Sequence, residues 1–205
     1  MVIEPRMSAD TAASSTLNLP NLLTWLRILM IPLIVGVFYV PDAWLSPWER
    51  NLFATIAFTV AAITDWLDGY LARKLGQMSA FGAFLDPVAD KLMVTAALIL
   101  LVQLDRTHAA IAIVIIGREI AISALREWMA KLGRSGSVAV NLLGKIKTGA
   151  QMVAIPLLLY HDPIAAFNPM WLGNLLIWLA TLLTLLSMLY YMKLAGPLVS
   201  EGPLE

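Results

Sequence analysis

Six long apolar stretches divide this 205-residue chain, and they constrain its fold more than any other feature. A helix that crosses a lipid bilayer needs roughly 20 mostly apolar residues, whereas the strands of a membrane barrel alternate in pieces of about 10 residues. The continuous apolar runs therefore predict an all-α integral membrane protein with six transmembrane helices. The predicted spans lie at about 22–40, 51–72, 87–104, 109–130, 146–160 and 171–192.

The composition excludes several other classes of protein. Sixty per cent of the residues are hydrophobic and 14% are charged, so a soluble fold of this size would have too little interior to bury its apolar surface. The formal net charge is zero, and no nucleic-acid partner is expected. The chain contains no cysteine, which excludes disulfides, thiolate nucleophiles and cysteine-ligated zinc.

The distribution of positive charge predicts an orientation in the membrane. Of the 14 Lys and Arg residues, only Arg50 and Arg106 lie near the first, third and fifth connections between the predicted spans. By the positive-inside rule, the basic loops at 73–86 and 131–145 and both termini lie in the cytoplasm. We therefore expect a multi-pass protein of the inner (cytoplasmic) membrane, in contact with membrane lipid.

The chain is predicted to form a single domain, because it contains no internal repeat, low-complexity tract or linker. Residues 1–16 are polar and are expected to form a mobile N-terminal tail. Residues 17–195 form the predicted membrane domain, and residues 196–205 form a C-terminal tail.

Four aspartates lie where the second predicted span ends and the third begins. Asp65 and Asp68 are three residues apart, and Asp86 and Asp90 are four residues apart. At about 100° per residue, each pair falls on one face of its helix. The short connection makes the two helices antiparallel neighbours, so the two pairs can face each other near the cytoplasmic surface.

Carboxylates placed so closely require a counter-charge, and divalent cations can provide it. Oxygen ligands with no His or Cys nearby favour Mg²⁺, Mn²⁺ or Ca²⁺ over zinc. Two metals that share bridging carboxylates suit phosphoryl chemistry. Gly69 and Ala72 share the aspartate face and leave room for a flat ligand group. A secondary transporter that uses the aspartates as an ion relay is the alternative, although neither broken helices in paired positions nor a repeat is visible.

The aspartate motif resembles the signature of the CDP-alcohol phosphotransferase family in every defined position. In this chain the signature reads Asp65-x2-Asp68-Gly69-x2-Ala72-Arg73-x8-Gly82-x3-Asp86-x3-Asp90. The resemblance extends to the segments PNLLTWLR (20–27), FGAFLDPVADK (81–91), REIAISALREWMA (118–130) and GKIKTGAQ (144–151). It implies a six-helix membrane enzyme, usually homodimeric, with a cytoplasm-facing polar cavity and two divalent metals, Mg²⁺ or Mn²⁺, per active site.

The resemblance also implies roles for individual residues. Asp65 and Asp86 would bridge both metals, Asp68 would complete the first metal site, and Asp90 would complete the second and act as the general base. The residues expected to bind CDP-diacylglycerol are Asn21, Thr24, Gly69, Ala72, Arg73 and Ser79. For Asn21 and Thr24 the alternative is ordinary helix capping near Pro20, and for Arg73 it is anchoring at the membrane surface.

An acceptor that carries a phosphate needs cations of its own. Arg118 lies in an apolar stretch where an unpaired guanidinium would be costly, and Lys145 and Lys147 lie where the fifth span leaves the cytoplasm. We predict that these three residues form the acceptor-phosphate site. The alternative is that Arg118 pairs structurally with Glu119 or Glu127, while the lysines set topology or contact anionic lipid.

The reaction implied by the resemblance is phosphatidyl transfer from CDP-diacylglycerol to sn-glycerol 3-phosphate, which releases CMP. The aspartate motif alone does not select the acceptor, and inositol phosphate, serine, choline or phosphatidylglycerol would suit the same chemistry. Only the resemblance over 118–151 favours glycerol phosphate.

Overall fold

A computed structural model describes residues 19–75, 80–131 and 142–200, although some side chains near helix ends lie outside the description. These residues form six α-helices: α1 (Leu19–Gly36), α2 (Pro47–Leu75), α3 (Ala80–Gln103), α4 (Ala109–Lys131), α5 (Leu142–Tyr160) and α6 (Pro169–Ser200). A short 3₁₀ turn, Val37–Tyr39, follows α1. Within the described ranges there is no strand, so the prediction of an all-helical protein is confirmed.

Several helix ends differ from their predicted positions. α2 begins at Pro47 and α6 continues to Ser200, so the first residues of the predicted C-terminal tail are helical. α5 begins at Leu142, before the predicted start at 146, and ends at Tyr160 as predicted, with Pro156 inside it. The predicted tail at 1–16 lies outside the described residues.

The starts of α2 and α6 have clear local causes. Ser46 donates from its backbone N–H and from its hydroxyl to Glu49 Oε2, both at 2.7 Å, and the Glu49 N–H donates to Ser46 Oγ at 3.4 Å. This reciprocal capping box, with Pro47 at the first helical position, begins α2. At the start of α6, the side-chain oxygen of Asn168 accepts from the Met170 N–H at 3.0 Å and forms a simple N-cap.

The helices pack around a core that consists mostly of small and branched apolar side chains. α1 packs on α2 and α3, α5 packs on α2 and α6, and α4 packs on α3 and α6. Gly173 on α6 permits the close approach to α5, because a Cβ there would lie 2.9 Å from Leu158 Cγ. The centre of the core contains Ala54, Ala57, Phe58, Ala61, Met93, Ala97, Leu98, Leu101, Ile111, Ile115, Ile155 and Leu158.

The outer surface of the bundle is also apolar. Large side chains such as Leu29, Ile113 and Leu189 are exposed along α1, α4 and α6. By length and composition, two of the described helical segments could cross a membrane, Leu22–Tyr39 and Pro169–Leu189, and Ile146–Tyr160 is a shorter apolar segment. α3 and α4 carry charged residues among their apolar ones, and several of these charged residues belong to the candidate site.

Candidate active site

The aspartates of α2 and α3 meet an arginine of α1 inside the bundle. Arg27 is fully buried, and its Nη1 lies 2.8 Å from Asp65 Oδ1 while it also donates to Asp90 Oδ1. Two carboxylates that are distant in sequence therefore converge on one positive group. This arrangement agrees with the expectation that the two helices present their carboxylates to each other.

A second contact from α1 reaches the third aspartate. The hydroxyl of Thr24, which is fully buried, donates to Asp86 Oδ1. Thr24 and Arg27 are three residues apart and so lie on one face of α1, which is the face against α2 and α3. Thr24, predicted to bind the nucleotide, thus lies directly beside the carboxylates.

Asp65 and Asp90 border a cavity of about 220 Å³ between α2, α3, α4 and α5. One part of its wall is apolar and includes Val94, Ile115 and Met152. The polar residues that line it are Asp65, Asp90, Lys91, Thr95, Glu119, Thr148 and Gln151. The cavity therefore brings carboxylates, a lysine and neutral hydrogen-bonding groups within reach of one small polar ligand.

A second, mostly apolar cavity of about 450 Å³ lies between α2 and α5, and Asp65, Thr148 and Met152 line both cavities. Its wall includes Ile63, Trp66, Met152 and Pro156. Because Asp65 lines both cavities, a ligand with a polar head and an apolar tail could contact the carboxylates and the apolar groove together.

The predicted acceptor-phosphate residues belong to a second charged cluster. Arg118 Nη1 lies 3.1 Å from Glu119 Oε1, and the ammonium of Lys147 donates to the same oxygen. Arg118 Nη2 also donates to Ser187 Oγ of α6 at 3.4 Å. The structure thus joins Arg118 to Glu119, which is the structural pairing that the sequence left open, while Glu127 pairs with Lys131 at 2.9 Å. Both cations of the cluster are buried.

The remaining predicted residues are not tested by these contacts. Asp68, Gly69, Ala72 and Arg73 lie in the last turns of α2, but their side chains are outside the described set, as are those of Asn21 and Lys145. Ser79 lies between the described ranges. The roles of all seven residues stay predictions.

Three residues at the site were not predicted as site residues. They are Arg27, Lys91 and Glu119. Arg27 contacts the aspartates, Lys91 lines the cavity, and Glu119 lines the cavity and pairs with the buried cations. Arg27 could have been found, because it is a lone cation in an apolar run, which is the signal that singled out Arg118. Lys91 follows Asp90 directly, but nothing in the sequence indicates that its side chain shares a cavity with Glu119.

The donor chemistry of the aspartates fits a hard divalent cation. Asp65, Asp86 and Asp90 offer only carboxylate oxygens, which Mg²⁺ and Mn²⁺ prefer. Among the described residues, no three His, Cys, Asp or Glu side chains are grouped closely enough to hold a metal ion, and the side chain of Asp68 is not part of that set. The guanidinium of Arg27 shows that Asp65 and Asp90 can share one positive partner.

Comparisons with known proteins agree with this chemistry. The sequence model described as CDP-alcohol phosphatidyltransferase matches residues 17–186. A Salmonella choleraesuis protein named CDP-diacylglycerol--glycerol-3-phosphate 3-phosphatidyltransferase is 47% identical over 190 residues, which cover 90% of this chain and 98% of that protein. Proteins of the same name from Escherichia coli K12 and Shigella flexneri serotype 5b are each 48% identical, covering 87% of this chain and 94% of theirs.

Proposed function

Because the chain belongs to the CDP-alcohol phosphatidyltransferase family, we propose that it is a transferase of phospholipid biosynthesis. It transfers the phosphatidyl group of CDP-diacylglycerol to sn-glycerol 3-phosphate, which yields phosphatidylglycerol phosphate and CMP. The similarity to enzymes named for this reaction extends over nearly their whole length. The observation that carries the proposal is the cavity that Asp65, Asp90 and Lys91 line together.

The proposed chemistry is a single in-line displacement. Asp90 accepts the proton of the primary hydroxyl of glycerol 3-phosphate, and that oxygen forms a bond to the lipid-side phosphorus. The bond from this phosphorus to the bridging oxygen breaks, and CMP leaves with the electron pair. Asp90 lies at the cavity wall, where an acceptor hydroxyl can reach it.

The family generally uses a divalent metal, and the residues proposed to hold two Mg²⁺ or Mn²⁺ ions are Asp65, Asp68, Asp86 and Asp90. When bound, such ions stabilise negative charge that develops on the attacking and leaving oxygens. The convergence of Asp65 and Asp90 on Arg27 supports this assignment, because it brings carboxylates of two helices to one positive centre.

The two substrates are assigned to different sets of residues. The CDP-diacylglycerol set is Asn21, Thr24, Gly69, Ala72, Arg73 and Ser79, with Arg73 pairing with the diphosphate. Thr24 supports this set because its hydroxyl lies against Asp86.

The phosphate of the acceptor is bound by Arg118, Lys145 and Lys147. The burial of Arg118 and Lys147 supports this role, since buried cations attract an anion strongly. The apolar cavity between α2 and α5 would take part of the lipid.

The proposed setting is the inner membrane, which all six helices span, with both termini and the active site on the cytoplasmic side. Exposed apolar side chains on several helices support contact with lipid. The excess of Lys and Arg at the α2–α3 end of the bundle supports the orientation. A homodimer belongs to the same proposal and rests on the family resemblance alone. The division into residues 17–195 and two tails is proposed from the composition of the chain.

The test is CMP release by the purified, detergent-solubilised chain supplied with CDP-diacylglycerol, Mg²⁺ and a panel of acceptors. We expect release that depends on glycerol 3-phosphate and is lost when EDTA removes the metal. Release with another acceptor in place of glycerol 3-phosphate would contradict the acceptor and keep the reaction. No release with any acceptor, from protein shown to be folded, would contradict the transferase assignment.

A further inference from the structure

Glu119 separates the buried cations from the cavity. The side chain of Lys147 is 1% exposed and that of Arg118 is 7% exposed, whereas the side chain of Glu119 is 30% exposed. Of these three described residues, Glu119 lines the cavity, and Arg118 and Lys147 are not among its lining residues. A ligand that enters the cavity therefore meets the carboxylate before it can reach either cation.

The carboxylate occupies the position of an anion between the two cations. A single oxygen, Oε1, contacts both Arg118 Nη1 and the Lys147 ammonium. A phosphate oxygen would bind these two donors in the same way, because both anions accept charge-assisted hydrogen bonds from guanidinium and ammonium groups. Phosphate and Glu119 thus compete for one set of donors.

The geometry points to Glu119 as an internal anion that holds the acceptor-phosphate site closed until the phosphate of the acceptor displaces it. This inference rests on the proposed function, because it requires Arg118 and Lys147 to bind that phosphate. Glu119 is then a positioning residue that neutralises two buried cations and holds them in place without substrate. Lys91 lines the same cavity and offers the displaced carboxylate another positive partner.

The inference predicts a gain of affinity on mutation. Glu119→Gln removes the competing negative charge but keeps the size of the side chain. The phosphate of the acceptor then neither competes with a carboxylate for the two cations nor is repelled by it. We expect the KM for glycerol 3-phosphate to fall by about three- to tenfold, which corresponds to one partly screened charge interaction. The inhibition constant of inorganic phosphate, used as a competing probe, should fall similarly. If Glu119 had only a structural role, its substitution would weaken phosphate binding and raise both constants, because the site would lose structure.

Two further variants distinguish a failure of the proposed phosphate site from a failure of the inference about Glu119. Lys147→Gln should raise both constants by about tenfold or more, since a buried charge partner of the phosphate is lost. Ser187→Ala removes a neutral contact of Arg118 outside the cavity, and both constants should stay within about twofold of the wild-type values. All variants are measured in the full-length chain at saturating CDP-diacylglycerol, with size-exclusion profiles to verify folding.

Each outcome decides the matter. The inference is supported if the KM for glycerol 3-phosphate and the inhibition constant of phosphate both fall in Glu119→Gln and both rise in Lys147→Gln. Unchanged or higher constants in Glu119→Gln overturn it, while the phosphate site stands if Lys147→Gln still weakens binding. Unchanged constants in Lys147→Gln overturn the phosphate site and the inference together. If Glu119→Gln does not fold, Glu119→Asp replaces it, because aspartate keeps the charge but reaches less far. The inference then expects tighter phosphate binding, and weaker binding overturns it.

Discussion

The two ends of the helix bundle both contain arginines with many partners, but the partners differ in kind. At the end where α3 and α5 terminate, Arg106 donates to the carbonyls of Leu158 and Leu159, at 3.2 and 2.6 Å, and to Asn51 Oδ1 at 2.6 Å. Its guanidinium also lies 5.7 Å from the centre of the Phe38 ring. At the opposite end, Arg27 and Arg118 pair with carboxylates that border a cavity.

The contrast separates an arginine bound mainly by neutral oxygen atoms from two arginines that are paired with carboxylates. The two carbonyls bound by Arg106 are among the last four of α5, which lack helical donors, so Arg106 caps that helix. Burial lowers the pKa of Arg106 from its ordinary value, and the nearby Asp162 opposes that shift. The carboxylates at the other end, Asp65, Asp90 and Glu119, line a cavity, so a ligand that enters the cavity can contact them.

The largest expected effect is on turnover, and it tests whether the carboxylates at the two ends of the bundle differ in function. Asp90→Asn is nearly isosteric and removes the proposed general base, so turnover should fall by about 10²–10⁴-fold. The matched control is Asp162→Asn, because Asp162 accepts a hydrogen bond from Asn51 at the other end, at 2.8 Å. Turnover in that variant should stay within about twofold of wild type.

CMP release and binding of CDP-diacylglycerol are measured for both variants. Asp90→Asn should still fold and bind the nucleotide substrate. Wild-type turnover in Asp90→Asn would remove Asp90 as the base. Equal losses in the two variants would mean that the two ends do not differ as described.

A smaller effect, on stability rather than activity, is expected at Arg106. Arg106→Met leaves Asn51 and the last carbonyls of α5 without their donor, and the free energy of unfolding should fall by about 2–4 kcal/mol. Unfolding by SDS in mixed micelles measures this loss. The KM for glycerol 3-phosphate of the folded fraction should not change, and a large change in that constant would argue against a purely structural Arg106.

The smallest expected effect lies at the start of α2. Ser46→Ala removes the N-cap hydroxyl, and the free energy of unfolding should fall by about 1 kcal/mol while turnover is unchanged. Hydrogen bonds from the Ser46 hydroxyl and backbone hold the pKa of Glu49 below its ordinary value of 4.5. The contribution of this box is therefore present above about pH 4.5 and is lost as the pH falls through the lower, folded-state value.

SDS unfolding of wild type and Ser46→Ala across this pH range checks the sign. The difference between the two proteins should shrink on acidification. A difference that grows as the pH falls would contradict the capping box.

Much of the fold could be read from local pattern, and the site could be read in part. The six apolar stretches correspond to the six helices, and the aspartate spacing identified the helix faces that meet at the site. Glu119 and Arg27 show where this reasoning stops. Glu119 was considered only as a structural partner of Arg118, because nothing in its neighbourhood indicates that Lys147, 28 residues away, shares its oxygen.

The sequence by itself determined the number and approximate positions of the helices, the charge asymmetry between the two ends and the family, because each depends on composition or on spacing within one or two helices. The tertiary structure alone decided that Arg27 joins Asp65 to Asp90, and that Glu119 stands between the buried cations and the cavity. These contacts depend on how far each helix slides and rotates against its neighbours. That register follows from packing across the whole core, including small residues such as Gly173, and no local sequence pattern encodes it.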